Sequence, residues 1–455
     1  VSIQRAYKTQ LNPTQAQRRA FEAQSDAVRW VWNWALALRN AYYKHTGKHL
    51  SGRTIIKQFR AGKRINRWPW LNPANSRAEE SALDAQDRAF DRYFRMCRGE
   101  LAKPKLKRPR KDGKPAGYPT FKSRFRGTVA FAFWGVKQSD IRRGAIRLQG
   151  IGWVNLQENG YLPTDAEKIN RATVSERAGR WYVSVQVEEP ETGEVATGEP
   201  VGVDAGISTL ATVSDGREYE NVRALRAAQR KLAHLQRELE RKPKPEKGER
   251  GSKRRERNIE AIARLHKRVA DLRSAVLHEA SAGIVGRGNE NDERPAVIGI
   301  ETLNVKGMMQ NKKLARALSD AAMAELLRQV GYKAGWGGSA VVKADRWEPS
   351  TKTCSQCLAV MQGMTLKDRT FRCTECGFTA PRDLNAALNL KRVAEEYRRR
   401  ETRVEEQDRG GVFGPVAEAP EKREPCAMTQ RDMPAAPRKP QGHHPNTRVQ
   451  LGLSL

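Results

Sequence analysis

CSQCLAVMQGMTLKDRTFRCTECGFTAPRDLNAALNL, residues 354–390, decides how the rest of the chain is read. Two Cys-x-x-Cys pairs, Cys354/Cys357 and Cys373/Cys376, stand fifteen residues apart. Each pair is a tight turn aiming two thiolates at one point, and a tetrahedral Zn²⁺ takes four such ligands. The spacing disfavours four unrelated buried thiols. Four thiolates leave no open coordination position, so the predicted zinc is structural. Seven positions beyond the last cysteine, Asp383 opens an amphipathic helix with Leu384, Ala387, Leu388 and Val393 at helical spacing.

Two further carboxylates end short apolar runs. PAVIGIE reaches Glu301 through Val297, Ile298 and Ile300, and EPVGVDAGIS places Asp204 among apolar neighbours. Read singly, each acid is a surface or capping residue, and Asp383 is a natural N-cap. Together they sit at the edges of buried elements, where carboxylates are rare unless paired or metal-bound. If the three converge, they repel unless cations lie between them. Two Mg²⁺ (or Mn²⁺) ions ~4 Å apart suit such oxygen ligands and the hydrolysis of a phosphodiester.

The chain has 455 residues, 38% hydrophobic and 30% charged, enough for about three domains. Its net charge of +32 points to a polyanionic partner whose phosphates would dominate binding. No stretch approaches the ~20 apolar residues of a membrane span, and the start, VSIQRAYKTQL, lacks a signal-peptide core. A membrane is therefore not expected as partner. Cys97 and Cys426 remain outside the two pairs, which fits a reducing, cytoplasmic setting.

In chain order, residues 1–14 predict a first strand, with Thr14 capping a helix from Gln15 to about Tyr43. A basic, loop-rich stretch leads to a second helix, Ser76 to Leu101, so 15–102 form a helical lobe. Trp30, Trp32 and Trp34 are spread over different helix faces and are mostly core. Residues 103–126 carry ten Lys or Arg against one Asp, with aromatics interleaved. That mix fits phosphate contact and base stacking by Lys103, Lys105, Lys107, Arg108, Arg110, Lys111, Tyr118, Phe121, Lys122, Arg124 and Arg126. Residues 127–190 alternate with period two, predicting antiparallel strands and a small β-barrel, and 191–200 read as a linker. Strands to Asp204, Val213 and near Glu220 then precede an antiparallel hairpin of helices, Val222–Arg241 and Lys253–Ile284. Gly206 allows a sharp turn beside the acid. From Arg398 to residue 455 the composition predicts a mostly disordered tail, in which His443 and His444 read as solvated.

VGVDAGISTLATVSDG, VIGIETLNVKGM and VVKADRWEPSTKTCSQC…CTECGFTAPRDLNAALNL together resemble the nuclease core of the TnpB (OrfB) family of insertion-sequence RNA-guided nucleases, relatives of the type V CRISPR effectors. Matching pieces run along residues 1–395 and include YKTQLNPTQAQ and LDAQDRAFDRYF. The resemblance implies a bilobed α/β protein with all-α and β-barrel parts. It would have a β-rich wedge domain (1–14 and 127–190), a helical recognition lobe and a RuvC/RNase H-like core over 201–353 and 377–397. Residues 354–376 would be a zinc-ribbon insert for target nucleic acid. It implies Asp204, Glu301 and Asp383 as catalytic magnesium ligands and Cys354, Cys357, Cys373 and Cys376 as zinc ligands. Asn385 would orient the helix start.

The implied partners are a guide RNA from the end of the mobile element and double-stranded target DNA, with one protein copy in the ribonucleoprotein. One RuvC-like site would cut both strands beside a short adjacent motif. Two departures stand out: Leu358 where the family usually has Gly after the first pair, and Pro381 where an acid usually precedes the third carboxylate. Two other readings are a nuclease-inactive RNA-guided repressor and a strand-transferring transposase. The repressor is expected to have lost an acid, and the transposase usually orders its acids Asp, Asp, Glu.

Overall fold

The computed structural model describes residues 2–410 except 105–109, 111–112, 124–128, 167, 191–194, 247–250, 287–293, 346–348 and 366–367. Strand β1 (Ser2–Asn12) leads into helix α1 (Gln15–Thr46) through the expected cap. The Thr14 hydroxyl accepts from Gln17 N while the Gln17 side chain accepts from Thr14 N. Gly47, in the left-handed region at φ 67°, ends the helix.

The stretch read as loop contains a further helix, α2 (Gly52–Arg64), before α3 (Ser76–Cys97). Its two glycines hide the signal, but Ile55 and Phe59 stand one turn apart and are buried. Helix α3 stops at Cys97 instead of Leu101, with Gly99 in the left-handed region. Trp32 is buried, and Trp30 and Trp34 pack with Trp68 and Phe59 in the helical core.

Strands β2 (Ala130–Trp134), β3 (Ile141–Arg142), β4 (Ala145–Leu148), β5 (Gly152–Leu156), β6 (Lys168–Arg177) and β7 (Arg180–Pro190) join β1 in one antiparallel sheet, ordered β2-β6-β7-β1-β5-β4-β3. The terminal strand therefore does pair with the 127–190 strands, as β1 against β7 and β5. The expected barrel is instead an open sheet, because α1 and α3 cover its apolar face. Phe21, Val28, Ala78 and Ala82 of those helices pack with Phe133, Val174 and Val185, which leaves closure nothing to bury.

Strands β8 (Val201–Ala205), β9 (Thr209–Val213) and β10 (Glu218–Glu220) form a meander followed by helices α4 (Ala224–Glu240) and α5 (Lys253–Ile284), which pack as a hairpin. Next come β11 (Val297–Ile300), α6 (Val305–Met308), α7 (Ala315–Ala321), α8 (Met323–Trp336) and β12 (Ala340–Lys343). The second sheet is ordered β10-β9-β8-β11-β12, with β8, β11 and β12 parallel. Leu277 and Ile284 of α5 and Leu326 and Val330 of α8 pack with Val203, Leu210 and Ile298 of this sheet.

A hairpin of β13 (Thr370–Arg372) and β14 (Thr379–Pro381) precedes the last helix, α9 (Arg382–Gly410). That helix continues beyond Arg398, where the charged composition predicted a tail. Its charges are arranged as helical i,i+4 pairs, such as Glu396 with Arg400 and Glu395 with Lys391. Residues 1–402 form one compact unit, and the second unit begins at Arg403. Cys426, His443 and His444 lie outside the described residues.

Candidate functional site

Strands β8 and β11 run side by side with Gly202 opposite Gly299 and Val203 opposite Ile300. One step further along the same register sets Glu301 beside Asp204. Side chains alternate across a strand, so Asp204 shares a face with Gly202, and Glu301 with Gly299. Helix α9 lies on that face and touches the sheet at its glycines. A Cβ at Gly202 would come within 2.0 Å of Ala387 O, and one at Gly299 within 2.1 Å of Leu390 O. Asp383 precedes Ala387 by one helical turn on the same side of α9. Two glycines and one helix therefore bring three acids from distant parts of the sequence to one edge of the sheet.

Their electrostatics record the proximity. Burial, followed by the charges of Glu301 and Asp383, pushes the Asp204 carboxyl up to about 8, partly offset by Arg382. Arg382 holds Asp383 Oδ1 through Nε at 3.1 Å and Nη2 at 3.0 Å. Its Nη1 also donates to Asp368 O at 3.1 Å. Ser350 Oγ donates to Glu301 Oε1 at 2.7 Å. All three carboxylates remain partly open to solvent. Crowded hard oxygen donors beside the Arg382 guanidinium fit a divalent cation, which would offset their repulsion.

The four cysteines converge more tightly. Their sulfur atoms all lie within 4.8 Å of one another, and among the described residues this is the one group of metal-ligating side chains so gathered. Cys354 Sγ is 3.6 Å from Cys376 Sγ, and Cys357 Sγ is 3.5 Å from Cys373 Sγ. Each pair is a knuckle. Cys354 N donates to Ala359 O and Leu358 N to Cys354 O, and the second knuckle repeats this with Cys373, Phe378 and Gly377. Gly377 has φ 74° and Leu358 has φ 65°, so the leucine occupies a left-handed position that glycine fills in the other knuckle. The backbone N–H of Cys376 and, more weakly, that of Glu375 hold the Cys373 thiol down at about 7. This donor set fits zinc.

Two side chains, the expected Asn385 and the unpredicted Asn389, link the cluster to the helix that carries Asp383. Asn385 accepts from Ser355 N at 3.0 Å and donates to Thr353 O at 2.8 Å. Asn389 Nδ2 donates to Ser350 O at 2.8 Å and Thr353 O at 2.7 Å. Both amides are buried. The role expected of Asn385 thus becomes concrete: it pins the start of α9 to the first knuckle. Asn389 stands one turn further along α9, a spacing that could have marked it.

The basic segment is tied along α1. Trp32 Nε1 donates to Thr120 O at 2.9 Å, and Asn33 exchanges two hydrogen bonds with the Lys122 backbone at 2.8 and 2.9 Å. The Lys122 ammonium lies 4.0 Å from the centre of the Trp32 ring. Tyr118 donates to Asn40 and packs edge-on against Phe90 and Tyr93, so its ring is an anchor. Phe121, 57% exposed, stays open beside Lys122. Lys103 is exposed, and Arg110 donates to Tyr118 O. Lys105, Lys107, Arg108, Lys111, Arg124 and Arg126 lie outside the described residues.

The family described as "Probable transposase" (OrfB_IS605) matches residues 182–312, "Cas12f1-like, TNB domain" matches 324–390, and "Helix-turn-helix domain" matches 3–48. A Streptomyces pristinaespiralis protein named "Putative RNA-guided DNA endonuclease" is 32% identical over 394 residues, covering 85% of this chain and 89% of the relative. An Escherichia coli (strain K12) relative whose name adds InsQ is 29% identical over 401 residues, covering 85% and 91%. The solved structure titled "Cryo-EM structure of the Cas12f1-sgRNA-target DNA complex" is similar at 16% identity and TM-score 0.31, over 86% of this chain and 99% of that one. An overlap that loose carries no argument.

Proposed function

We propose, from the premise that the chain belongs to the OrfB_IS605 family, that it is an RNA-guided DNA endonuclease working through Asp204, Glu301 and Asp383. The observation that carries the catalytic reading is the meeting of these three carboxylates beside α9. In this reading the β8–β12 sheet with α9 is a RuvC/RNase H-like core and the β1–β7 sheet a wedge domain. Residues 15–102 form the recognition lobe, and the cysteine knuckles hold one structural Zn²⁺. The guide RNA derives from the mobile element, and its pairing supplies sequence specificity beside a short motif on the target duplex.

The three acids would hold a pair of Mg²⁺ or Mn²⁺ ions, which supply an activated water and charge stabilisation at the leaving oxygen. The protein's own part is orientation. Ser350 fixes one oxygen of Glu301, and Arg382 fixes one oxygen of Asp383. Each restrained carboxylate then presents its other oxygen in a set direction. The glycines at 202 and 299 hold α9 close enough for the third acid to join the other two. The exposed Phe121 with Lys122 and Lys103 offers a stacking and phosphate surface to nucleic acid. No helix among the described residues is long and apolar enough to cross a membrane.

The test is purification with the co-purifying RNA, sequencing of that RNA, and incubation with a plasmid carrying the matching target. Cutting with Mg²⁺, none with EDTA, and none by Asp204→Ala is the expected result. Guide-directed binding without cutting would establish a repressor, and joining of transposon ends without RNA would establish a transposase.

A further inference from the structure

Asp320 lies outside the acid cluster, and its bonds make little sense as surface chemistry. It is 6% exposed, on α7. Its Oδ1 accepts from Leu225 N at 3.0 Å and its Oδ2 from Arg226 N at 3.1 Å, both in the first turn of α4. Arg273 Nη2 of α5 donates to the same Oδ1 at 3.1 Å. The residue at the α4 N-cap position is Arg223, left-handed at φ 49° and without a side-chain capping bond. A carboxylate distant in sequence therefore caps α4 and grips α5 at once.

The same short helix touches the two loops that leave the acid-bearing strands. Leu318 and Ala321 pack with Ala205, which follows Asp204, and with Ile207. Leu303, two positions after Glu301, joins that cluster with Met308. A second tie runs from the start of α4: Asn221 Nδ2 donates to Ile207 O at 2.8 Å. Asp320 and Asn221 thus link the α4–α5 hairpin to the loop behind Asp204 by two routes. The C-terminal part of α5 is seated in the core through Leu277 and Ile284, whereas Ile259 and Leu272 nearer its start are about half exposed, so Asp320 grips the hairpin where α4 begins.

We propose that Asp320 is a positioning residue: it couples the α4–α5 hairpin to the loops behind Asp204 and Glu301 and fixes how those two acids are presented. The inference rests on the catalytic reading of those acids. The carboxylate acts by geometry, through helix α7, and touches no reacting atom.

Asp320→Asn tests it, since it keeps the shape but turns an N–H donor toward the α4 amides. In the intact protein–RNA complex, the rate of cutting bound target should fall roughly tenfold or more, as when residues supporting metal ligands are changed. Target affinity should stay within about twofold, and the Mg²⁺ concentration for half-maximal rate should rise. Without any metal, amide exchange should quicken at 204–210 and 222–228 and stay unchanged in β6 and β7. Asn221→Ala, which cuts the second tie outside the buried ion pair, should move the same readouts in the same direction by less.

An unchanged cutting rate in both variants would overturn the coupling. So would a parallel loss of rate, affinity and melting temperature, which marks a residue holding the whole fold. If Asp320→Asn does not fold, the Asn221→Ala result decides alone. Cutting that survives Asp204→Ala would sink the catalytic reading itself, whatever Asp320 does.

Discussion

The four thiols come from residues 354–376 alone, whereas the three carboxylates come from β8, the end of β11 and the start of α9. The cysteines are brought together by two knuckles whose backbone bonds close within a few residues. The acids meet only when a sheet register, two glycine contacts and a helix are all in place. A locally encoded site should survive damage elsewhere in the chain, and a globally encoded one should not. The two meet physically at Asn385 and Asn389, which fasten the knuckle backbone to the helix carrying Asp383. The thiol cluster is thereby fastened to the helix that carries Asp383, and because the bonds of its knuckles close locally the dependence is expected to run one way.

The largest effect should come from the acids themselves. Asp204→Ala should lower target cutting by roughly a thousandfold while the RNA content of the purified complex stays unchanged. Disrupting the thiol cluster should cost less and act at a distance. Cys373→Ser, or zinc chelation, should release the metal and slow cutting by about 10–100-fold as α9 loses its fastening. The β1–β7 sheet should then melt as before. If it is lost together with the zinc, the thiol cluster supports the whole fold and not α9 alone.

Next in size are the contacts that assemble the carboxylates. Gly202→Ala would drive a methyl group into Ala387 O and Lys391 N, at 2.0 and 2.2 Å. Backbone cannot yield as a side-chain tip can, so α9 must shift. A loss of about 1–3 kcal/mol by chemical denaturation is expected. Zinc content should be untouched. Loss of zinc in Gly202→Ala would break the contrast between local and global assembly.

This contrast also explains what the sequence made legible. The Cys-x-x-Cys pairs and the acids ending apolar runs are visible because the ligand type and its strand or helix lie in one short window. Helix α2 escaped because Gly52 and Gly62 mask an otherwise regular apolar spacing. The open sheet was read as a barrel because period-two alternation says which face is buried and not what buries it. Phe21 and Ala78, the residues that cover that face, lie on helices remote from β2–β7 in sequence. Gly202 and Gly299 look like ordinary strand glycines until α9 is seen lying on them. Asp320 carries no local signal, since its partners are amides of another helix.

The smallest expected effect sharpens the comparison within the thiol cluster itself. The two knuckles have the same bonds, yet one places Gly377 and the other Leu358 in the left-handed region. A residue with a Cβ is disfavoured there by about 1–2 kcal/mol, because Cβ crowds the following carbonyl oxygen. Leu358 is 52% exposed, so its side chain returns little packing energy to offset that strain. Glycine also gains freedom in the unfolded chain, which opposes part of the gain. Leu358→Gly should therefore stabilise the first knuckle by less than the full strain, about 1 kcal/mol, read as a several-fold slower loss of zinc to a chelator. Because the thiol cluster only clamps α9, the cutting rate at saturating zinc should stay within about twofold. Faster zinc loss would mean that Leu358 makes an attractive contact outweighing its backbone strain. A large change in cutting rate would mean that the clamp does more than hold.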